Sequence, residues 1–291
     1  MTTRSVNQII PSMNTSDGAG VKLLRTLGQR QNSRFDPFLM LDEFGSFDAN
    51  DYIAGFPAHP HRGFETVTYM LEGHMLHEDH MGNKGHLRSG DVQWMTAAHG
   101  IIHSEMPQQQ SGRMHGFQLW INLPAREKMK PASYRDIPAA KIPTVLLSNG
   151  GKVKVIAGEV VDGEQRVAGP VQGLATKALY LDVHLSQGQT FTQAIPSAHN
   201  ALIYVYEGEV TVGDAATSVG THAAALLNAG DQLVVNASSD ARFLVLAAQP
   251  LNEPVVQYGP FVMNTREEIE QAINDYQSGN LVEARAQAFA E

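Results

Sequence analysis

The sequence predicts an all-β protein made of two similar barrels in tandem, followed by one α-helix. Three observations indicate this class. From residue 64 onward, short apolar stretches are separated by Gly and Asn turns, which is typical of antiparallel sandwiches and barrels. The second half of the chain repeats features of the first half, and the tail then changes from strand-like to helical spacing.

The first half is expected to be a series of short strands. Two early strands, residues 21–27 and 38–41, lie on either side of a polar turn. Later strands are separated by turns at Gly73 and at residues 81–85, and they cover residues 64–71, 74–79, 91–97, 100–106 and 115–123. Residues 124–150 contain four prolines and mixed polarity, so we expect a connector with room for a helical turn.

Two short motifs carry the internal repeat. YMLEG at residues 69–73 is matched by YVYEG at residues 204–208, and Gly90-Asp91 is matched by Gly230-Asp231. Two fused barrels of one kind are the simplest explanation. We therefore expect one domain over residues 1–130 and a second over residues 131–291, which also carries the helix.

The tail has the signals of an amphipathic helix. Thr265 and Glu268 are spaced as a capping box, in which each side chain bonds to the backbone of the other residue. Apolar residues then recur at helical spacing, at Ile269, Ala272, Ile273 and Tyr276, and Gly279 is a stop signal. We expect this helix to pack on a barrel.

Composition limits the classes of function. The chain has 291 residues, a formal net charge of −9 and a sequence pI near 5.7, which disfavours direct binding to nucleic acid. It has no cysteine, so disulfides and thiolate metal sites are excluded. Its start lacks the apolar region of a signal peptide, and no apolar run is long enough to cross a bilayer. We expect a monomer that does not bind membranes and is cytoplasmic, or also nuclear in a eukaryote.

Histidines are concentrated in one stretch of the chain. Nine of the twelve lie between residues 59 and 115. Within a strand, side chains two residues apart point to the same side, so His59 and His61 share a face, as do His103 and Glu105. Two such strands placed side by side would gather three imidazoles and one carboxylate. Without a thiolate, this donor set suits iron(II), manganese, nickel, copper or zinc.

The repeat provides a test of this metal site. His59 and His61 precede Gly73 by 14 and 12 residues, and His103 and Glu105 follow Gly90 by 13 and 15 residues. The same offsets from Gly208 and Gly230 give only apolar residues, namely Ala194, Pro196, Phe243 and Val245. We therefore expect a second barrel with a packed core and no metal, and a first barrel that carries the chemistry.

The other polar residues near these motifs have simpler interpretations. His74, His77 and His80 fit a solvated hairpin arm, with at most one of them behind a metal ligand. His99 and His115 fit either surface positions or support of the ligand strand. Arg62 would steer an anion or pair with a nearby carboxylate.

Several stretches resemble the pirin family of the cupin superfamily. HPHRGFETVTYMLEG (residues 59–73) and GDVQWMTAAHGIIHSEMP (90–107) resemble the two cupin motifs in their pirin version, and DPFLMLDEF (36–44) and GPFVMNTREEI (259–269) resemble further pirin stretches. The resemblance covers almost the full chain. It implies two tandem cupin barrels of the double-stranded β-helix (jelly-roll) type.

For the site, the resemblance implies iron in the N-terminal barrel. Position by position, the ligands carried over are His59, His61, His103 and Glu105. Many cupins instead take their glutamate from the first motif, where Glu65 stands, so Glu65 is kept as the reserve ligand.

For function, the resemblance implies two alternatives. Pirins are similar in this site to quercetin 2,3-dioxygenases, which implies opening of a flavonol ring with dioxygen and release of carbon monoxide. Glu105 would then be the catalytic base, with an apolar pocket expected at Trp94, Met106, Phe117 and Leu119. The other alternative is a regulator that senses redox state through its iron and binds a protein partner. A third possibility, a sugar isomerase or epimerase on the same barrel, is disfavoured because this sequence lacks the cluster of basic residues expected for binding a phosphorylated substrate.

Overall fold

The computed structural model describes residues 1–30 and 34–282. Over these residues the chain forms 26 strands, one α-helix and three short 3₁₀ turns, which confirms the predicted class. The chain divides into two compact units. We call residues 13–139 together with 251 onward the first barrel, and residues 1–12 together with 140–250 the second barrel.

The first barrel consists of one seven-stranded sheet, one four-stranded sheet and a short hairpin. The larger sheet has the order β12-β9-β6-β11-β4-β3-β2, and the smaller has the order β5-β10-β7-β8. The strands are β2 (Met13–Asp17), β3 (Val21–Leu27), β4 (Phe38–Ser46), β5 (Phe56–His61), β6 (Phe64–Glu72), β7 (His74–Asp79), β8 (Lys84–Arg88), β9 (Val92–Thr96), β10 (Ile101–Pro107), β11 (Met114–Asn122) and β12 (Ser133–Ile137), with the hairpin β25 (Val256–Tyr258) and β26 (Phe261–Met263). Every strand predicted between residues 21 and 123 is present.

The second barrel repeats this architecture. Its sheets have the orders β1-β22-β19-β24-β17-β14-β13 and β18-β23-β20-β21. The strands are β1 (Val6–Pro11), β13 (Thr144–Leu146), β14 (Lys152–Ala157), β15 (Glu159–Asp162), β16 (Gln165–Ala168), β17 (Leu179–Leu185), β18 (Thr190–Ala194), β19 (Asn200–Glu207), β20 (Glu209–Val212), β21 (Thr217–Gly220), β22 (Ala223–Leu227), β23 (Gln232–Ala237) and β24 (Ala241–Ala248). β15 and β16 form a separate hairpin.

Strand order shows which parts of the predicted repeat are correct. Gly73 follows β6 and Gly208 follows β19, and these strands occupy equivalent places in their sheets. Gly90-Asp91 precedes β9, however, whereas Gly230-Asp231 precedes β23, the equivalent of β10. This second match is therefore wrong by one strand.

With β23 as the equivalent of the ligand strand β10, the second barrel still lacks the ligand residues, but other positions are compared. Phe243 and Val245 lie on β24, which is the equivalent of β11 and not of the ligand strand. β23 reads QLVVNA and contains neither histidine nor a carboxylate. The second barrel instead has a continuous apolar core that includes Phe191, Leu233 and Phe243, so its predicted packed interior is confirmed.

The two compact units do not divide at residue 130 as expected. The first residues of the chain belong to the second barrel, and the last described residues belong to the first barrel. β1 pairs antiparallel with β22, so the first residues belong to the second barrel. β12 pairs with β9 in the first barrel, although its residues lie beyond residue 130. The segment from residue 251 returns to the first barrel, and it brings the hairpin and helix with it.

The C-terminal helix α1 (Arg266–Gln277) has the predicted capping box. Thr265 Oγ1 accepts from the Glu268 backbone N–H at 3.2 Å, and Glu268 Oε2 accepts from the Thr265 backbone N–H at 3.0 Å. Ile269 and Ala272 are buried against Phe261 of the hairpin, which confirms the predicted docking. In the described part of the chain, no helix is both long and apolar enough to cross a bilayer.

Two buried cations tie this C-terminal segment to the first barrel. The Arg62 guanidinium donates to the Asp275 carboxylate at 2.6 Å and to the carbonyls of His99 and Leu281. Of its two predicted roles, Arg62 thus pairs with a carboxylate. The Lys128 ammonium donates to the Gly63 and Val262 carbonyls and to Asn122 Oδ1, at 2.6–2.9 Å.

Candidate metal centre

β5 and β10 bring the predicted ligands side by side. They pair antiparallel, with His103 opposite His59 and Ile101 opposite His61. A register shift follows His103, so Glu105 lies opposite Phe56. The cross-strand meeting that the two motifs predict is therefore present in the fold.

The three imidazoles converge at ligand spacing. Their donor nitrogens all lie within 4.8 Å of one another. The ring centroid of His103 lies 4.4 Å from that of His59 and 4.9 Å from that of His61. Glu105 belongs to an overlapping group with His103 and His77, in which the donor atoms also lie within 4.8 Å of one another.

Each of these three rings is held by one nitrogen. His59 Nδ1 lies 2.8 Å from the Pro57 carbonyl, and the His61 ring bonds to the Pro260 backbone. His103 Nδ1 lies 3.4 Å from His77 Nδ1. Metal-binding histidines characteristically donate their second nitrogen to such a partner, which orients the ring.

The remaining nitrogens need a partner. His61 Nδ1 and His103 Nε2 are buried and form no hydrogen bond. Since buried polar atoms are normally satisfied, two orphaned nitrogens in one cluster fit a site that binds a cation. The donor set therefore fits a transition metal ion, with His59, His61, His103 and Glu105 as the residues that would hold it.

Burial sets the charge states expected of the ligands. It lowers the pKa of both His61 and His103 well below the usual value, and neighbouring imidazoles lower each pKa further. Both rings are thus neutral and keep a lone pair for a metal. Burial also raises the pKa of Glu105, against the opposing effects of His59 and a hydrogen bond from Thr68.

His77 takes the place that the sequence analysis left open for one histidine behind a metal ligand, and it does not share the solvent exposure expected of the arm. β7 pairs with β10, so His77 lies opposite Glu105 and is fully buried instead of lying on a solvated arm. Its ring lies 4.9 Å from that of His103. The strand alternates between buried and partly buried residues, with Met75 on the buried side, and the shared parity with Met75 was the available signal.

Glu65, the reserve ligand, lies elsewhere. It is buried and accepts a hydrogen bond from Thr96 Oγ1 at 2.7 Å, on the neighbouring strand β9. Among the described residues it belongs to neither donor group. Gly63 separates it from His61 with a backbone φ of +93°, so strand parity does not carry across the turn.

A cavity of about 790 Å³ opens on the histidines. This volume is in the range of pockets that take drug-sized ligands. His59, His61 and Glu105 line it together with Thr68 and Gln118. Its apolar wall is formed by Leu23, Leu39, Met40, Phe44, Phe56, Met75 and Trp120.

The cavity is not lined by the residues that were predicted for the pocket wall. None of Trp94, Met106, Phe117 and Leu119 lines this cavity. On β11 the cavity is lined by Gln118 and Trp120, and adjacent residues of a strand point to opposite faces. Met106, Phe117 and Leu119 are each adjacent to a lining residue and point the other way, whereas no residue of β9, including Trp94, lines the cavity.

The other histidines of the cluster stay outside the cavity. His115 is buried and lies 2.7 Å from Glu43 Oε1. His74 and His86 form a cross-strand pair, with Nε2 and Nδ1 2.9 Å apart.

A barrel that gathers three imidazoles and a carboxylate beside a cavity defines a cupin-type metal centre. Comparison with known proteins agrees. Residues 20–121 match the Pirin family model, and residues 180–282 match that of the Pirin C-terminal cupin domain. The chain belongs to the pirin family.

Relatives extend over the whole chain. The chain is 53% identical over 279 residues to a Pseudomonas aeruginosa protein named "Putative quercetin 2,3-dioxygenase", covering 96% of this chain and 98% of that protein. It is 41% identical over 280 residues to human pirin, covering 94% and 93%. A solved structure of quercetin 2,3-dioxygenase from Acinetobacter baumannii superposes with a TM-score of 0.88 at 36% identity, covering 97% of this chain and all (100%) of that one.

Proposed function

We propose that this protein is a metal-dependent dioxygenase that opens the ring of flavonols such as quercetin, with iron(II) as its metal. One observation carries the proposal: three imidazoles, each held by one nitrogen, converge at ligand spacing, and two of them, His59 and His61, line a cavity of about 790 Å³ with a largely apolar wall. The relatives named as quercetin 2,3-dioxygenases support it.

The metal would supply redox chemistry between an electron-rich enol and dioxygen. The overall reaction consumes one dioxygen and releases one carbon monoxide for each flavonol opened. Iron is proposed over manganese, nickel, copper and zinc because the chain resembles pirins, since the donor set alone accepts all five.

Glu105 is proposed as the base that takes the proton of the flavonol 3-hydroxyl. Its carboxylate lines the cavity, and its Oε1 accepts from Thr68 Oγ1 at 3.1 Å, which orients the group. Its raised pKa makes it a stronger proton acceptor than an exposed glutamate.

The cavity wall would bind and orient the flat substrate. Trp120 and Phe44 line it and present aromatic surface, while Met40 and Met75 are adaptable in shape. This apolar wall would also keep bulk water away from the reacting carbon atoms.

The direct test adds quercetin and air to the iron-loaded protein. We expect loss of the flavonol absorbance together with carbon monoxide. Glu105→Gln should lower kcat by about a hundredfold, as expected when a positioned base is lost. Because Glu105 is also a proposed ligand, bound metal must be measured in the same samples.

A matched control is His86→Gln. His86 is exposed and pairs only with His74 in the described structure, so metal content and turnover should not change. A Glu105→Gln protein that retains its metal and degrades quercetin at the wild-type rate would contradict the role of base.

The alternative function, a redox-sensing regulator, uses the same metal centre, and the same metal-loaded protein samples test it. Absence of turnover with each of the five metals, together with partner capture in only one redox state, would favour it. The cytoplasmic location and the monomeric state remain predictions, which cell fractionation and light scattering check.

A further inference from the structure

Arg34 is a cationic side chain of the cavity without an anionic partner. It lines the cavity together with Gln257. Its Nη1 donates to the Val255 carbonyl at 3.4 Å and its Nη2 to Gln257 Oε1 at 3.1 Å, and both acceptors are neutral. Its Nε is buried and has no hydrogen-bond partner. Within residues 1–30 and 34–282, no carboxylate forms an ion pair with it.

Two other carboxylates that line the cavity, Asp42 and Asp17, bind a different arginine. Asp42 binds Arg25 through both oxygens, at 2.8 and 2.7 Å, and Asp17 binds the same guanidinium at 2.8 Å. Burial lowers the pKa of Arg34, with no neighbouring charge to compensate. A guanidinium nevertheless stays protonated in proteins, so its charge remains and lacks a counterion.

The position of Arg34 relates it to the metal centre. Gln257, which Arg34 contacts, and Pro260, which contacts His61, are three residues apart in the hairpin. The backbone can separate these two residues by at most about 11 Å. One aromatic molecule in the cavity can therefore reach from the histidines towards the guanidinium.

We propose that Arg34 determines specificity by binding an anionic substituent, such as a carboxylate, sulfonate or sulfate ester, at the end of the substrate away from the metal. The natural ligand of the cavity is then an aromatic anion rather than a neutral aromatic. This inference rests on the proposed function in taking the ligand to be the substrate of that site.

A pair of fluorescent probes tests the charge requirement without any turnover. 1-Anilinonaphthalene-8-sulfonate and N-phenyl-1-naphthylamine have the same rings and differ by one sulfonate. Sulfonate is a poor ligand for transition metals, so this difference reports on the cation and not on the metal. Both dissociation constants are measured on the full-length, metal-loaded protein.

Four proteins are compared: wild type, Arg34→Gln, Arg34→Lys and Arg135→Gln. We expect Arg34→Gln to weaken binding of the sulfonate about tenfold, the loss of one charge-assisted contact, and to leave the neutral probe unchanged. The affinity of Arg34→Lys for the sulfonate should lie between those of the wild type and Arg34→Gln, because lysine keeps the charge but lacks the planar guanidinium. Arg135 is exposed and does not line the cavity, so its variant should bind as the wild type does.

Three results would overturn the proposal: no binding of the sulfonate to the wild type, equal weakening of both probes by Arg34→Gln, or an equal effect from Arg135→Gln.

Quercetin and a quercetin sulfonated on its pendant ring then give the second comparison. We expect Arg34→Gln to lower kcat/KM for the sulfonated flavonol about tenfold more than for quercetin. Retained probe discrimination without any flavonol turnover would remove the proposed function and leave the anion site standing.

Discussion

Replacement of His77 by Phe tests how the metal centre is supported. His77 is fully buried, and its Nδ1 lies 3.4 Å from His103 Nδ1. Phenylalanine keeps a ring of similar shape beside Tyr134, whose centroid lies 5.5 Å away, but removes both nitrogens. The change therefore removes the partner of His103 and little packing.

The size of the effect follows from that contact. Loss of the partner behind a metal-binding histidine typically lowers metal affinity about ten- to a hundredfold, or about 1.4–2.7 kcal/mol. The nitrogens are separated by 3.4 Å, which is long for a hydrogen bond. We therefore expect the lower end, a loss of about tenfold. The melting temperature of the metal-free protein should not fall, because the variant also removes the unpartnered His77 Nε2.

Competition with a chromophoric chelator measures the affinity, with His86→Gln as the control. An unchanged affinity would refute the proposed support of His103 by His77. A loss well beyond about a hundredfold would mean that His77 binds the metal itself. Its grouping with His103 and Glu105 makes this second outcome a physical alternative.

Three further predictions concern stability. Arg62→Met leaves the partly exposed Asp275 carboxylate and the His99 and Leu281 carbonyls without their buried donor and should destabilise the protein by about 3 kcal/mol in urea unfolding, whereas Arg135→Met should change little. Burial lowers the pKa of Lys128 to about 7. Between about pH 7 and 10 the unfolded chain therefore binds more protons than the folded protein. The free energy of unfolding should rise with pH across that window, and this rise should be absent in Lys128→Met. Phe243→Ala empties a fully buried position of the second barrel and should cost about 3–5 kcal/mol in thermal unfolding, with no change in metal affinity.

Local sequence signals were sufficient for the class and for the ligand pairs. Period-two patterns and Gly turns predicted the strands between residues 21 and 123, and the capping box predicted α1. HxH and HxE motifs also placed His59 beside His61 and His103 beside Glu105, because alternation within one strand needs no knowledge of its neighbours. The packed core of the second barrel was predicted because the second half of the sequence lacks the ligand residues of the first half.

Pairing between strands was what the sequence left open. β1 joins the second barrel and the segment after residue 251 returns to the first, because hydrogen-bond partners far away in the chain complete each sheet. The position of His77 opposite Glu105 depends on β7 pairing with β10.

The cavity depended on tertiary structure for the same reason. Side chains of Gln118 and Trp120 line it, while Phe117 and Leu119 on the same strand do not, since parity says which residues share a face but not which face looks inward. Arg34 and Gln257 are more than two hundred residues apart and meet only in the fold. The sequence by itself thus determined which donors stand together on each strand. The choice of neighbours and of the inward face belongs to long-range hydrogen bonding and packing, which no local pattern encodes.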